Sequence, residues 1–284
     1  VTRDPSLLDR LSDCCRNLEQ VQKGLADYLE TKRLAFPRFN FVSDGEMLEI
    51  LVDMRDQVKV QIHLPRCFAG VHRLKQSKGD IAIASSEVKS IGMISEHGEV
   101  VAFDGTVDGS DLFEGGAEEW FKEVEHAMVV AVRRAFFEAL PQHESLNRVE
   151  WIAAFPLQAV IGAGAVLWTL DVIRAMSSGT LGQLLKEQEQ ELLVLAPLVR
   201  SEVPPAPRPT LEALILRRLH QRDVVGQLVD ACVRSEDDFD WFKQLRFTVE
   251  EHETTDFSGG DAARDVFVSI AFSRFQMEYE YYGN

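Results

Sequence analysis

Between Leu7 and Arg33 the apolar residues Leu7, Leu8, Leu11, Leu18, Val21, Leu25, Tyr28 and Leu29 return mostly at steps of three and four. On a backbone of about 3.6 residues per turn that spacing gathers them into one stripe, so a long amphipathic helix is predicted, ending before Pro37. The same period recurs along most of the chain. It predicts a helix from Gly45 to about Val52 capped by Asp44, another over Val58–His63 that Pro65 interrupts, and a helical run from Cys67 to Leu74. Trp120, Val124, Met128, Val132 and Phe136 mark a further helix, followed by Val149–Met176, Leu181–Leu195 and Leu211–Val233.

Two segments break this period. Ile91, Met93, Val100, Val101 and Phe103 flank His97-Gly98, a turn able to take positive φ, which predicts a β-hairpin over Ser90–Phe103, followed by an acidic, glycine-rich loop from Asp104 to Gly116. From Leu245 the chain alternates through Phe247 and Val249, then, past Gly259-Gly260, through Val266, Val268, Ile270, Phe272 and Phe275 to Tyr279, Tyr281 and Tyr282. An antiparallel β element is predicted here, with Val266, Val268, Ile270 and Phe272 on its covered face. The prolines at 204, 205, 207 and 209 remove donors and hold φ near the polyproline value, so Val203–Pro209 reads as a stiff, non-helical connector. The expected fold is predominantly α: an elongated, multi-subdomain helical bundle with one internal β-hairpin and a small C-terminal antiparallel β element.

With 284 residues and 45% apolar content the chain can bury sizeable cores. Its net charge of −16 argues against gripping nucleic acid or an anionic membrane, both of which need clustered Lys and Arg. Cys14, Cys15, Cys67 and Cys232 are too scattered for a disulfide framework and match no paired zinc spacing, which fits a reducing compartment. The chain opens on Val1 without a signal-peptide pattern, and its longest apolar stretch, Val160–Leu170, is short for a bilayer. A piece of a longer, non-membrane polypeptide is expected.

Each motif with chemical potential has a simpler structural reading. No G-x-x-x-x-G-K-[ST] occurs, and Gly162-Ala163-Gly164 sits in an apolar helix with no phosphate-binding lysine after it. His63 and Cys67 are four apart, but Pro65 breaks the regular turn that a shared metal would need. Cys14 and Cys15 point apart on a helix and cannot form a redox pair. Glu236, Asp237, Asp238 and Asp240 lie where aspartates cap helices, and Trp120, Trp151, Trp168 and Trp241 fall in apolar periodic segments as core anchors. No nucleophile-elbow or catalytic-cysteine context is present. Catalytic, cofactor-binding and metal-binding residues are therefore all expected to be absent.

Particular strings carry more than the period does. Leu18-Glu19-Gln20-Val21-Gln22-Lys23-Gly24-Leu25, Tyr28-Leu29-Glu30, Phe36-Pro37-Arg38-Phe39, Ser43-Asp44 and Leu48-Glu49-Ile50-Leu51 resemble the central linker block of dynein heavy chains. The likeness continues in order through Val60-Gln61, His63-Leu64, Cys67-Phe68, Ile91-Gly92-Met93-Ile94-Ser95 with Gly98-Glu99, Leu195–Arg200 and Arg222-Asp223-Val224-Val225. It closes on Asp238-Phe239, Trp241, Gln244-Leu245-Arg246 and Tyr279–Asn284, resembling the passage before the first AAA+ module; the family's usual Tyr-Gly-Tyr-Glu-Tyr-Leu-Gly-Asn reads here Met277-Glu278-Tyr279-Glu280-Tyr281-Tyr282-Gly283-Asn284. The wording is closer to axonemal than to cytoplasmic dyneins.

The resemblance implies a lever that arches over an ATP-driven AAA+ ring and transmits its movement, without chemistry of its own. It implies partners in the AAA+ modules of the same heavy chain, contact with the microtubule only through the parent motor, and a cytoskeletal location in a ciliary or flagellar axoneme. The expected division is a helical subdomain over 1–110 with the hairpin near 90–103, helical subdomains over 111–243, and a β element over 244–284 joining the ring. The alternative is a free-standing helical scaffold or adaptor module.

Overall fold

The computed structural model describes residues 6–54, 57–77, 89–108, 116–200, 208–251 and 264–283. The chain forms two compact units, one of Val1–Ile94 with Phe103–Ala127, the other of Ser95–Ala102 with Met128–Asn284.

The first unit opens on α1, Leu7–Ala35, with Lys32 and Arg33 in its last turn, where they complement the negative end of the helix dipole. The predicted stripe is real as a pattern, yet only Leu29 on it is buried; Leu18 and Val21 are each 67% exposed. After a 3-10 turn at Pro37–Phe41 comes α2, Asp44–Asp53. Its cap is Ser43 rather than Asp44, because Ser43 takes the extended backbone and shares a reciprocal capping box with Glu46. Then come α3, Gln57–Val60, a 3-10 turn at Gln61–His63, and α4, Leu64–Cys67, whose first turn tolerates Pro65 because that N–H has no helical acceptor.

The expected helical run to Leu74 is replaced by β1, Arg73–Gln76. Leu74 faces inward while its neighbours face out, its N–H donates to Gln61 Oε1 at 3.1 Å, and it pairs with Met93 across the sheet. The hairpin strands are β2, Lys89–Ile94, and β3, Val100–Asp108, and the three strands run in the order β1-β2-β3. β3 thus extends into what reads as the start of an acidic loop, whose residues 109–115 lie outside the described ones. The core is aromatic: Phe36 and Phe39 meet edge to face at 4.9 Å, Phe39 and Phe121 at 5.3 Å, and Trp120 and Phe121 at 5.2 Å. Arg38 lies over Phe68 and donates to Glu125 at 2.7 Å and to the Cys67 carbonyl at 3.2 Å.

The next helix, α5, spans Ala117–Ser145 and contributes its residues from Met128 onward to the second unit. The single helix expected over Val149–Met176 is two, α6, Arg148–Ala154, and α7, Leu157–Ser178. They part at Phe155-Pro156, where the proline restricts the residue before it to extended backbone. α6 starts on a capping box between Asn147 and Glu150, and α7 ends on Gly179 at φ 71°, with Thr180 N–H reaching the Ala175 carbonyl at 2.8 Å. By length and composition α7 could cross a bilayer, but 67% of its apolar window is buried inside the protein, so it is a core helix.

α8, Leu181–Leu195, matches its expectation, and α9, Arg208–Asp230, begins earlier than Leu211. Pro209 stands in the first turn of α9, where a missing N–H breaks nothing, so the non-helical connector does not reach that far; 201–207 lie outside the described residues. A short α10, Phe239–Phe242, precedes β4, Arg246–Glu251, β5, Arg264–Ile270, and β6, Ser273–Gln276, in the order β4-β5-β6. One core cluster centres on Trp151 with Ala139, Val160, Ala163, Leu195 and Leu214; another joins Trp168, Val172, Val225, Leu228 and Trp241, with the two tryptophan rings 5.7 Å apart.

Candidate functional site

The most specified region of the second unit is the seat of its C-terminal residues. β4 lies along α7, and the Phe247 N–H donates to the buried Thr169 hydroxyl at 3.1 Å while that hydroxyl donates to the Ala165 carbonyl at 2.9 Å. β4 and β5 pair antiparallel with Phe247 opposite Val268, and β6 closes the sheet with Phe275 opposite Val268. Past β6 the chain folds back, and the Met277 N–H donates to the Val266 carbonyl at 2.8 Å.

Arg133 on α5 fastens the start of β5, donating to the Arg264 carbonyl at 2.5 Å and lying 3.5 Å from Asp265. Its guanidinium also stands 5.9 Å from the Tyr279 ring, which packs at 6.2 Å against Phe136. Burial pushes the Tyr279 phenol up to about 12, so it stays neutral. Beneath this ring pair α7 carries Gly162, where a Cβ would lie 2.6 Å from the Phe136 ring and 3.7 Å from the Met277 methyl. The glycine lets α7, Phe136 and the C-terminal residues approach where a side chain would hold them apart.

A second fastening follows. The Gln158 side-chain amide donates to the Glu280 carbonyl and accepts from the Tyr282 N–H at 3.0 Å, taking both backbone groups as a neighbouring strand would. Between them Tyr281 is buried, and its hydroxyl donates to Glu99 Oε2 at 2.5 Å. The other oxygen of Glu99 accepts the Leu157 N–H at 2.8 Å, at the start of α7 where the helix dipole favours a negative charge. Glu99 is itself held in the hairpin turn, its N–H on Ser95 Oγ and its carbonyl on the Ser95 N–H, each at 3.0 Å. Burial and the bond to Glu99 raise the Tyr281 phenol far above its ordinary value. Apart from the buried Tyr279 hydroxyl, the polar groups named here are engaged with backbone or with one another. What the arrangement offers is fixed position.

Comparison with known proteins places this geometry in a family. Residues 1–139 match the model described as dynein heavy chain, N-terminal region 2. The whole chain is 35% identical over 285 residues to dynein axonemal heavy chain 1 of Mus musculus, and 99% of it is 34% identical to dynein axonemal heavy chain 3 of Homo sapiens. Over 98% of its length it is 32% identical to the dynein-1-beta heavy chain, flagellar inner arm I1 complex, of Chlamydomonas reinhardtii. The chain belongs to the dynein heavy chains.

It spans 6% of the length of each of these three relatives. Within this dynein segment the expected β face needs correction. Val266 is buried and Val268 half-buried, but Ile270 is 44% and Phe272 92% exposed. β5 ends at Ile270, and Ala271, at φ 47°, turns the chain, so the alternation stops and Phe272 rests only edge-on to Phe242 at 5.0 Å. Tyr279, Tyr281 and Tyr282 likewise follow no strand; 277–283 is irregular and held by side chains. The turn expected at Gly259-Gly260 lies outside the described residues.

The remaining candidates fall elsewhere. His63 is buried 3.8 Å from Asp53, Cys67 is buried with its thiol pushed up to about 12 by burial, and Cys14 and Cys15 are exposed on α1. Asp238 caps α10, accepting the Asp240 N–H at 3.0 Å. All four tryptophans are buried. Glu99, Gln158, Arg133 and Thr169 were not singled out by the reading of residues for chemistry. Gly98-Glu99 and the tyrosine-rich end did signal themselves, in the strings that carry the family resemblance.

Proposed function

We propose that this stretch is the C-terminal part of the dynein linker, a mechanical lever that carries changes of the AAA+ ring into the power stroke along a microtubule. The observation that supports it is the double fastening of the C-terminal residues. Residues 264–279 are held on α5 and α7 by Arg133 and the Gly162 contact, and 280–282 on α7 and the hairpin turn by Gln158 and Glu99. The resemblance implies a first AAA+ module following this passage, and on that reading a pull from the ring enters here. A segment tied to two helices and a turn passes displacement on instead of absorbing it, because packed elements move as rigid bodies about a few hinges. The segment contributes no nucleotide chemistry; its partners are the AAA+ modules of the same heavy chain, and its place of work is a ciliary or flagellar axoneme.

Rigidity at this joint is measurable in the parent motor. Spin labels at His97 and Tyr282, both exposed, should report the same separation with and without ATP on the ring. A separation that changes with nucleotide would mean that the joint yields, and the lever reading would fail.

A further inference from the structure

Three arginines and one carboxylate gather among α6, α8 and α9. Arg148 Nε lies 2.7 Å from one oxygen of Glu191, and Arg218 Nε lies 3.4 Å from the other while its Nη1 donates to Gln221 Oε1 at 3.1 Å. Arg217 stands 5.4 Å from the Phe247 ring, with Arg218 as its charged neighbour. The guanidinium of Arg148 lies 4.7 Å over Trp151. Among the described residues Arg148 Nη1 and Arg217 Nε are buried without a hydrogen-bond partner. Arg148, Arg217, Arg218 and Gln221 line a small cavity with Val160 and Leu214, which has room for about one water-sized sphere.

Arg148, Arg217 and Arg218 bring three guanidinium groups to the lining of this cavity, Glu191 meets only Arg148 and Arg218, and no carboxylate lines the space, inside a chain whose net charge is −16. A buried, unpaired cation is costly, and an unsatisfied buried N–H adds to that cost. A water could accept two N–H groups but would leave the charge uncompensated. We propose that this cavity binds a small monovalent anion, chloride in the cell, which accepts from Arg148 and Arg217 and fastens α6 to α9. The water-sized space suits a small ion, and the partly apolar walls suit a weakly hydrated halide. Burial pulls Arg148 down only to about 10, so it remains charged at neutral pH. His143, near Arg148 and Arg218, and Asp171, near Arg218, sit on α5 and α7 and do not line the space.

The test compares thermal unfolding of the chain in sodium chloride and in sodium gluconate at equal ionic strength, gluconate being too large to enter. Chloride at a hundredfold excess over its dissociation constant should raise Tm by about 5 °C over gluconate. Arg217→Gln should lose the increment, and Arg217→Lys should keep part of it. In parallel, the chain should broaden the chloride NMR line, and bromide should narrow it again by competition. Equal melting in the two salts, an unbroadened line, or an undiminished increment in Arg217→Gln would each overturn the proposal. If Arg217→Gln does not fold, the line width with the unsubstituted chain decides.

Discussion

Gly162 shows how a single residue can set the approach of three elements. Adding a methyl there must displace the Phe136 ring, which is itself buried against Tyr279. Gly162→Ala should therefore destabilise the second unit by about 1–3 kcal/mol, read as a lower denaturation midpoint, whereas Gly182→Ala, with open space around its Cβ position, should cost nothing measurable. His143 gives a pH signature at the same scale. Burial, then repulsion from Arg148 and Arg218, holds its pKa below the ordinary 6.5. The unfolded chain therefore binds this proton more readily, and the contribution of neutral His143 is present above pH 6.5 and lost as pH falls below it. Denaturant midpoints should decline from pH 7 toward 5, with a flatter profile in His143→Gln. The tryptophan anchors were legible from apolar periodicity alone. Gly162 was legible only as a glycine in an apolar helix, because the Phe136 ring that fills its space lies on another helix, distant in sequence.

At the scale of elements, period and burial separate. The three-and-four spacing located α1 almost to its ends, yet a stripe states only which residues share a face, not what covers it. Leu18→Ser and Val21→Ser should each change stability by less than about 0.5 kcal/mol, while Leu29→Ala should cost about 2–5 kcal/mol; calorimetric melting of the three variants checks the contrast. The same limit explains the C-terminal sheet. Alternation located β4 and the start of β5, but Ile270, the last residue of β5, and Phe272 beyond it continue the apolar pattern where the turn at Ala271 exposes them. β1 was missed because only one of its residues is fully buried and its partner strand had to be known first. The split of α6 from α7 was written in Pro156, and the true cap of α2 in the Ser43-Glu46 spacing.

At the scale of the whole molecule, the proposed lever role divides labour, with chemistry in the AAA+ modules of the parent heavy chain and force carried by this segment. Titration of the isolated chain with magnesium ATP in a calorimeter should give no saturable heat; stoichiometric micromolar binding would contradict that division. Whether the fastened C-terminal residues transmit the stroke is decided by loosening them in the full motor with Gln158→Ala and Tyr281→Phe together. These changes remove the amide clamp on 280–282 and the bond to Glu99 and leave the ring untouched. The measurement is microtubule gliding speed divided by ATP hydrolysed, in a variant whose circular dichroism matches the parent. Transmission through this joint requires near-normal turnover with a severalfold lower speed per ATP; an unchanged ratio would rule it out.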